Sequence, residues 1–181
     1  MSNILPMTVT SPIYNGGVSS IIIGTGSSQK RYFPTGIKND KSYYWFAAIN
    51  RETLNLDYQA LETSNTVVPK DLQSGGKYNN DNYILGFSTM YMSTLLVPQG
   101  DQYDFLMENG AGRALARLEQ IWLTLNCGTY GRMSYSLVDL LGSPGAGMEV
   151  GSIRDSGVNT LSLMEQTVDG KTIYTPVNLQ V

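Results

Sequence analysis

The chain has 181 residues, of which 41% are hydrophobic and only 15% charged, with a net charge of −3. That is enough apolar matter for one ordinary core, and it excludes wholesale disorder. Its 12 Lys and Arg never cluster, which argues against nucleic-acid binding by phosphate neutralisation, and the absence of His removes Ser-His-Asp and Cys-His catalysis and the usual zinc sites. Cys127 is the single cysteine, so no internal disulfide forms. The start of the chain lacks a basic segment followed by an apolar stretch, so no signal peptide is expected. No apolar run approaches the ~18 residues of a membrane span.

In chain order, residues 1–17 read as an extended arm, because Pro6 and Pro12 oppose helix and Asn15-Gly16-Gly17 signals a turn. Val18 to Ile23 is β-rich. Ser42 to Asn50, SYYWFAAIN, is too continuously apolar to alternate and predicts a strand buried on both faces. Leu54 to Leu61 returns as its hairpin partner, and Tyr83 to Thr89 is another buried strand. Met90 to Gly112 gives no clear periodicity. Arg113 to Leu125 sets Leu115, Leu118, Ile121 and Trp122 at spacings of three and four, which predicts an amphipathic helix. Arg132 to Leu141 reads as a strand followed by a glycine-rich turn. Residues 152–181, with a turn at Asp169-Gly170, read as a hairpin or a second extended arm.

Candidate chemistry is sparse. Gly24-Thr25-Gly26-Ser27-Ser28 lacks the second Gly, the Lys-Ser/Thr pair and the following helix of a phosphate loop, and reads as a turn. Asp101, Asp104 and Glu108 form the densest acidic group, but match no calcium-loop spacing and read better as a solvated loop or helix start. Ser134 and Ser136 have no activating partner, and Cys127 reads as a buried inert thiol. Neither a cofactor nor a metal set is expected. The 12 Tyr are the other distinctive feature. Tyr43, Tyr44, Trp45 and Phe46 read as core, whereas Tyr14, Tyr91, Tyr103 and Tyr130 lie near loops and are surface candidates.

Tyr43 to Leu56, YYWFAAINRETLNL, resembles the hairpin of the interleukin-like EMT-inducer domain, which also occurs in pancreatic-derived factor. The order continues with YILGFST (Tyr83 to Thr89), an A-R-x-L helix (Ala116 to Ile121) and an Arg-led aromatic strand, Gly131 to Gly145. The resemblance covers roughly residues 17–151. It implies a β-rich α+β fold: a sandwich of two antiparallel sheets with flanking short helices, here joined by the one clear amphipathic helix and by extended arms at both ends. The corresponding division is an arm at 1–17, the domain at 18–151, and a C-terminal hairpin or arm at 152–181. A related glycosyltransferase stem domain binds sugar with the help of an Arg that opens the aromatic strand, and Arg132 holds the similar position. The chain differs from secreted animal members in having no cystine and in the intervening Met90 to Gly110 segment.

Similar modules occur in bacteriophage virion and tail proteins, so the resemblance implies a non-enzymatic structural component of a phage particle: a decoration, baseplate or tail-fibre attachment protein. It would be made in the host cytoplasm and located in the virion. Its expected partners are other virion proteins and copies of itself, with neither nucleic acid nor a membrane span involved. Assembly would run through strand addition by the arms, carried by Ile4, Leu5, Val9, Ile13, Tyr14, Ile173, Tyr174, Val177 and Leu179. The alternative is a carbohydrate-binding module for host-surface glycans, with Arg132, Tyr130, Tyr103 and Tyr91 as its binding residues. An enzyme acting through carboxylates finds no supporting constellation.

Overall fold

A computed structural model describes residues 3–38, 41–124, 131–142, 145 and 147–177. In chain order the elements are β1 (Ile4–Ser11), β2 (Ser20–Ile23), β3 (Lys30–Tyr32), β4 (Tyr43–Asn50), β5 (Leu56–Glu62), β6 (Tyr83–Met90), β7 (Met92–Ser93), α1 (Asp101–Glu108), α2 (Arg113–Thr124), β8 (Arg132–Leu140), β9 (Met148–Ser152), β10 (Gly157–Val168) and β11 (Lys171–Val177). The first sheet runs β11-β10-β1-β2-β3. The second runs β5-β4-β6-β8, with β9 and the short β7 both paired to β8. Every pairing among these strands is antiparallel.

Two cores follow from the alternation of side chains along the strands. Between the sheets, Met7, Val9, Ile21 and Leu163 meet Trp45, Ile49, Ile84 and Val138. On the far side of the second sheet, Phe46, Phe87 and Tyr135 pack with Phe105 and Leu106 of α1 and with Leu115 and Leu118 of α2. Phe46 and Phe87 meet edge to face with centroids 4.9 Å apart. The architecture is therefore a two-sheet sandwich with helices over one outer face. β4 lies inside both cores, and every residue from Tyr43 to Ile49 is buried. That explains its unbroken apolar run. α2 buries Leu115 and Leu118 and leaves Ile121 and Trp122 half-buried.

The reading of residues 1–17 as an arm outside an 18–151 domain is corrected here, and of the two readings of 152–181 the structure shows the hairpin, β10–β11 turning at Asp169-Gly170, paired into the first sheet rather than extended as an arm. β1 lies in the middle of the first sheet and pairs with β10 from Ile4↔Met164 to Ser11↔Gly157. Val9 is fully buried, Leu5 packs against the inter-sheet core, and Ile13 lies just beyond β1, where its N–H donates to Ser156 Oγ at 3.1 Å. At the other end Tyr174 packs on the same core, while Ile173 and Val177 sit in β11, opposite Gln166 and Ser162. Of the proposed arm residues, Ile4 and Tyr14 are well exposed, and Leu179 lies outside the described residues. The physical reason is period two: Met7, Val9 and Ser11 point inward while Thr8 and Thr10 point out. Pro6 is tolerated because the β1–β2 ladder begins at Met7. Its carbonyl still accepts from Gly24 N–H at 2.8 Å, so its missing N–H falls just past the end of that ladder.

A polar node ties the sheets together. The β6–β8 ladder ends at Ser88↔Ser136, and beyond it the Tyr135 N–H donates to Ser11 Oγ at 3.1 Å and Thr89 Oγ1 at 2.9 Å. Ser11 Oγ in turn donates to the Thr89 carbonyl at 2.6 Å. A residue of the first sheet thus satisfies a buried N–H of the second, where an orphan would cost about 1–3 kcal/mol.

Candidate functional site

Two of the predicted glycan residues meet. Tyr91 breaks the run between β6 and β7 and holds φ at 50°, a left-handed conformation that is uncommon for a bulky residue. Three contacts hold it there. Its N–H donates to the Pro12 carbonyl at 3.0 Å, and its carbonyl accepts from Ser42 Oγ at 2.6 Å and from Arg132 Nη1 at 3.2 Å. The Arg132 guanidinium also lies 3.7 Å from the centroid of the Tyr91 ring. Arg132 opens β8 opposite Ser93, and this pairing delivers it to the spot.

Beside this pair is a cleft of about 60 Å³ lined by Gly17, Lys38, Lys41, Tyr43, Met90 and Tyr91, among others. The Lys38 and Lys41 ammonium groups make no hydrogen bond or ion pair with the described residues. The cleft admits one polar substituent of a larger ligand rather than a sugar ring.

The other two residues are not brought to this place. Tyr103 stands on α1 and packs against the helix-side core, where burial, followed by the Glu119 carboxylate, raises its phenol pKa. Tyr130 lies outside the described residues, as does Cys127. Ser134 and Ser136 are buried, and Ser134 Oγ donates to the Asp155 carbonyl at 2.7 Å, so neither is placed as a nucleophile. Asp101, Asp104 and Glu108 share one face of α1 and line a cleft of about 250 Å³ with Val68, Gln73 and Ser74. Among the described residues, no three His, Cys, Asp or Glu side chains come together to hold a metal ion. Among the same residues, no helix is long and apolar enough to cross a membrane.

Sequence reasoning missed two carboxylates, Glu149 half-buried and Asp139 buried. Glu149 on β9 takes the Ala114 N–H on Oε1 at 2.7 Å, and the Leu115 N–H and Tyr135 hydroxyl on Oε2 at 3.2 and 2.8 Å. It caps α2 from another strand. The available signal was negative: Gly110-Ala111-Gly112, before the helix, offers no capping side chain. Burial, reinforced by this carboxylate, holds the Tyr135 phenol well above its ordinary pKa.

The second is Asp139, 7% exposed near the end of β8. Its Oδ1 accepts from Leu140 N–H at 2.7 Å, and its Oδ2 has no hydrogen-bond partner among the described residues. Burial raises its pKa, with backbone N–H groups of Leu140 and Gly145 pulling it back. A raised folded-state pKa means stability that is full below the unfolded value of about 4 and lost as pH rises through the folded value. Asp139→Asn is therefore expected to gain stability over the parent between pH ~4 and neutrality. Urea unfolding of both proteins at the two ends of that range checks it, and a constant difference would remove this assignment.

In comparisons with known proteins, the chain matches no family model, and neither the curated proteins nor the solved structures give a significant match.

Proposed function

We propose that the chain is a non-enzymatic structural module of a multi-subunit particle, of the kind a bacteriophage virion assembles from its own proteins. It docks on copies of itself or on other particle proteins through a sheet face rather than through arms. The observation that carries this reading is the outer face of the first sheet. Its central rows are Thr8 between Thr160 and Ile22, Pro6 beside Ser162, and Ile4 beside Met164. The Oγ atoms of Thr8 and Thr160 lie 3.4 Å apart in an exposed position. No charged residue stands on these rows short of Arg31 at the β3 edge. The second sheet carries helices on its outer face, whereas no described helix packs on this one. A broad, uncharged, uncovered sheet face is what a stable subunit contact uses.

The test is the solution mass of the parent chain beside Thr8→Lys/Thr160→Lys. The parent is expected to assemble and the folded double variant to be a monomer, because two ammonium groups would be desolvated side by side in the contact. A parent that stays monomeric at high concentration, alone and with its particle, overturns the reading.

A second reading, glycan recognition, is favoured by the Tyr91–Arg132 pair with Lys38 and Lys41 beside it. Cationic and aromatic groups of this sort grip an acidic saccharide. Arg132→Ala is expected to weaken binding to acidic bacterial polysaccharide about tenfold or more. Unchanged binding, or none by the parent, removes this second reading.

A further inference from the structure

We propose that the groove between α2 and the β9–β10 turn is a binding site for a carboxylate that carries a short aliphatic body. The groove has a volume of about 400 Å³, within the ordinary range for small-ligand sites. It is independent of both the bare sheet face and the Tyr91–Arg132 pair. Two features of its lining define the ligand.

The first is charge. Arg117 of α2 and Arg154 of the turn both line the groove. Among the described residues neither guanidinium has a hydrogen-bond or ion-pair partner, and neither is paired with Asp155, the one acid of the lining. Guanidinium forks match a carboxylate in shape and charge, and charge-assisted bonds of this type are the strong ones.

The second is the apolar wall. Leu118 and Ile121 form one side and Ile153, 40% exposed, the other. The cleft continues along α2 past Ile121 toward Thr124, still flanked by Arg117 and Ile153. Its floor is closely packed, because Gly151 lets α2 settle directly on β9: a Cβ placed there would lie 3.1 Å from Leu118 Cδ1 and 3.5 Å from Ala114 Cβ. Arg117 and Arg154 thus receive the carboxylate while Ile121 and Ile153 sheathe an aliphatic tail. A bare anion would leave those walls wet, and an uncharged tail would leave both cations unpaired.

The experiment follows methyl resonances of Ile121 and Ile153 during titration with 4-methylpentanoate. Saturable shifts are expected. 4-Methylpentanamide, which lacks the charge, and inorganic phosphate, which lacks the tail, are expected to bind at least about tenfold more weakly. The exposed double variant Arg117→Gln/Arg154→Gln is expected to lose about tenfold or more in affinity with unchanged far-UV circular dichroism and thermal midpoint. A parallel titration with acetyl-Ile-Glu-Ile-amide distinguishes the two sources of this chemistry. Tighter binding of the peptide assigns the groove to a segment of a partner protein, and tighter binding of the free acid to a small metabolite. No saturable shift with either carboxylate, or a folded double variant that retains affinity within about twofold, overturns the proposal.

Discussion

Glu149→Ala is expected to destabilise the protein by about 3 kcal/mol, although Glu149 belongs to no catalytic arrangement. Loss of a helix N-cap accounts for about 1 kcal/mol. The rest comes from Tyr135, whose hydroxyl donates to Glu149 Oε2 from a fully buried ring and would be left unpaired, a cost of about 1–3 kcal/mol. Glu149→Gln keeps an oxygen acceptor and is expected to cost roughly half as much. Tyr135→Phe removes the orphan, so the double variant Glu149→Ala/Tyr135→Phe should be less destabilised than the two single changes summed. Urea unfolding of the four proteins at one pH reads the whole cycle. A Glu149→Ala cost under about 0.5 kcal/mol would show that the helix start does not depend on this carboxylate.

Gly110→Ala is expected to be at least as damaging, with a thermal midpoint lowered by about 10 °C or no soluble protein at all. Gly110 joins α1 to α2 with φ at +86°, where an L-residue costs about 1–2 kcal/mol. A methyl there would also run into Asp139 Oδ2 and the backbone of Gly147. Gly147 N–H donates to Gly110 O at 3.1 Å, so that backbone cannot withdraw cheaply. Overpacking of this sort adds about 1–3 kcal/mol. Gly170 makes the comparison clean: it has φ at +77° in the β10–β11 turn, but nothing lies within 4 Å of its missing Cβ. Gly170→Ala should therefore show the backbone cost alone, about 1 kcal/mol. Equal losses at the two positions would mean that the close approach at Gly110 is not what matters.

What was legible in the sequence follows from how local the cause is. β4 announced itself because both of its faces are buried, and α2 because its apolar residues recur at helical spacing. The beginning of the chain misled because Pro6, Pro12 and a row of Thr resemble an arm. The alternation of Met7, Val9 and Ser11 was the better signal, and it needed β10 as a partner to acquire meaning. α1 was legible only as one of two readings: the acidic Asp101 and Asp104 fit a helix start as well as a solvated loop, and Asp101, Gln102 and Tyr103 show no clear apolar face to decide between them. At the candidate site, Arg132 and Tyr91 were each singled out, but their stacking depends on a left-handed Tyr91 that no local residue pattern demands. Tyr103 shared only its residue type with them. The two carboxylates were invisible for the same reason, since Asp139 and Glu149 take their roles from other segments of the chain.

The position of β1 between β2 and β10 has a consequence for the order in which the protein is made. The Thr8 and Thr160 partners are 152 residues apart. The second sheet uses residues 43–152 and can pair as soon as those have been synthesised. The first sheet cannot, because β1 has only β2 beside it until residues 157–168 emerge. Pairing at such separation is slow, since the loop must close before any contact rewards it. Throughout that interval one edge of an apolar strand stands open, an invitation to a neighbouring nascent chain. The slowest step of folding and the greatest hazard of aggregation therefore fall on the same strand.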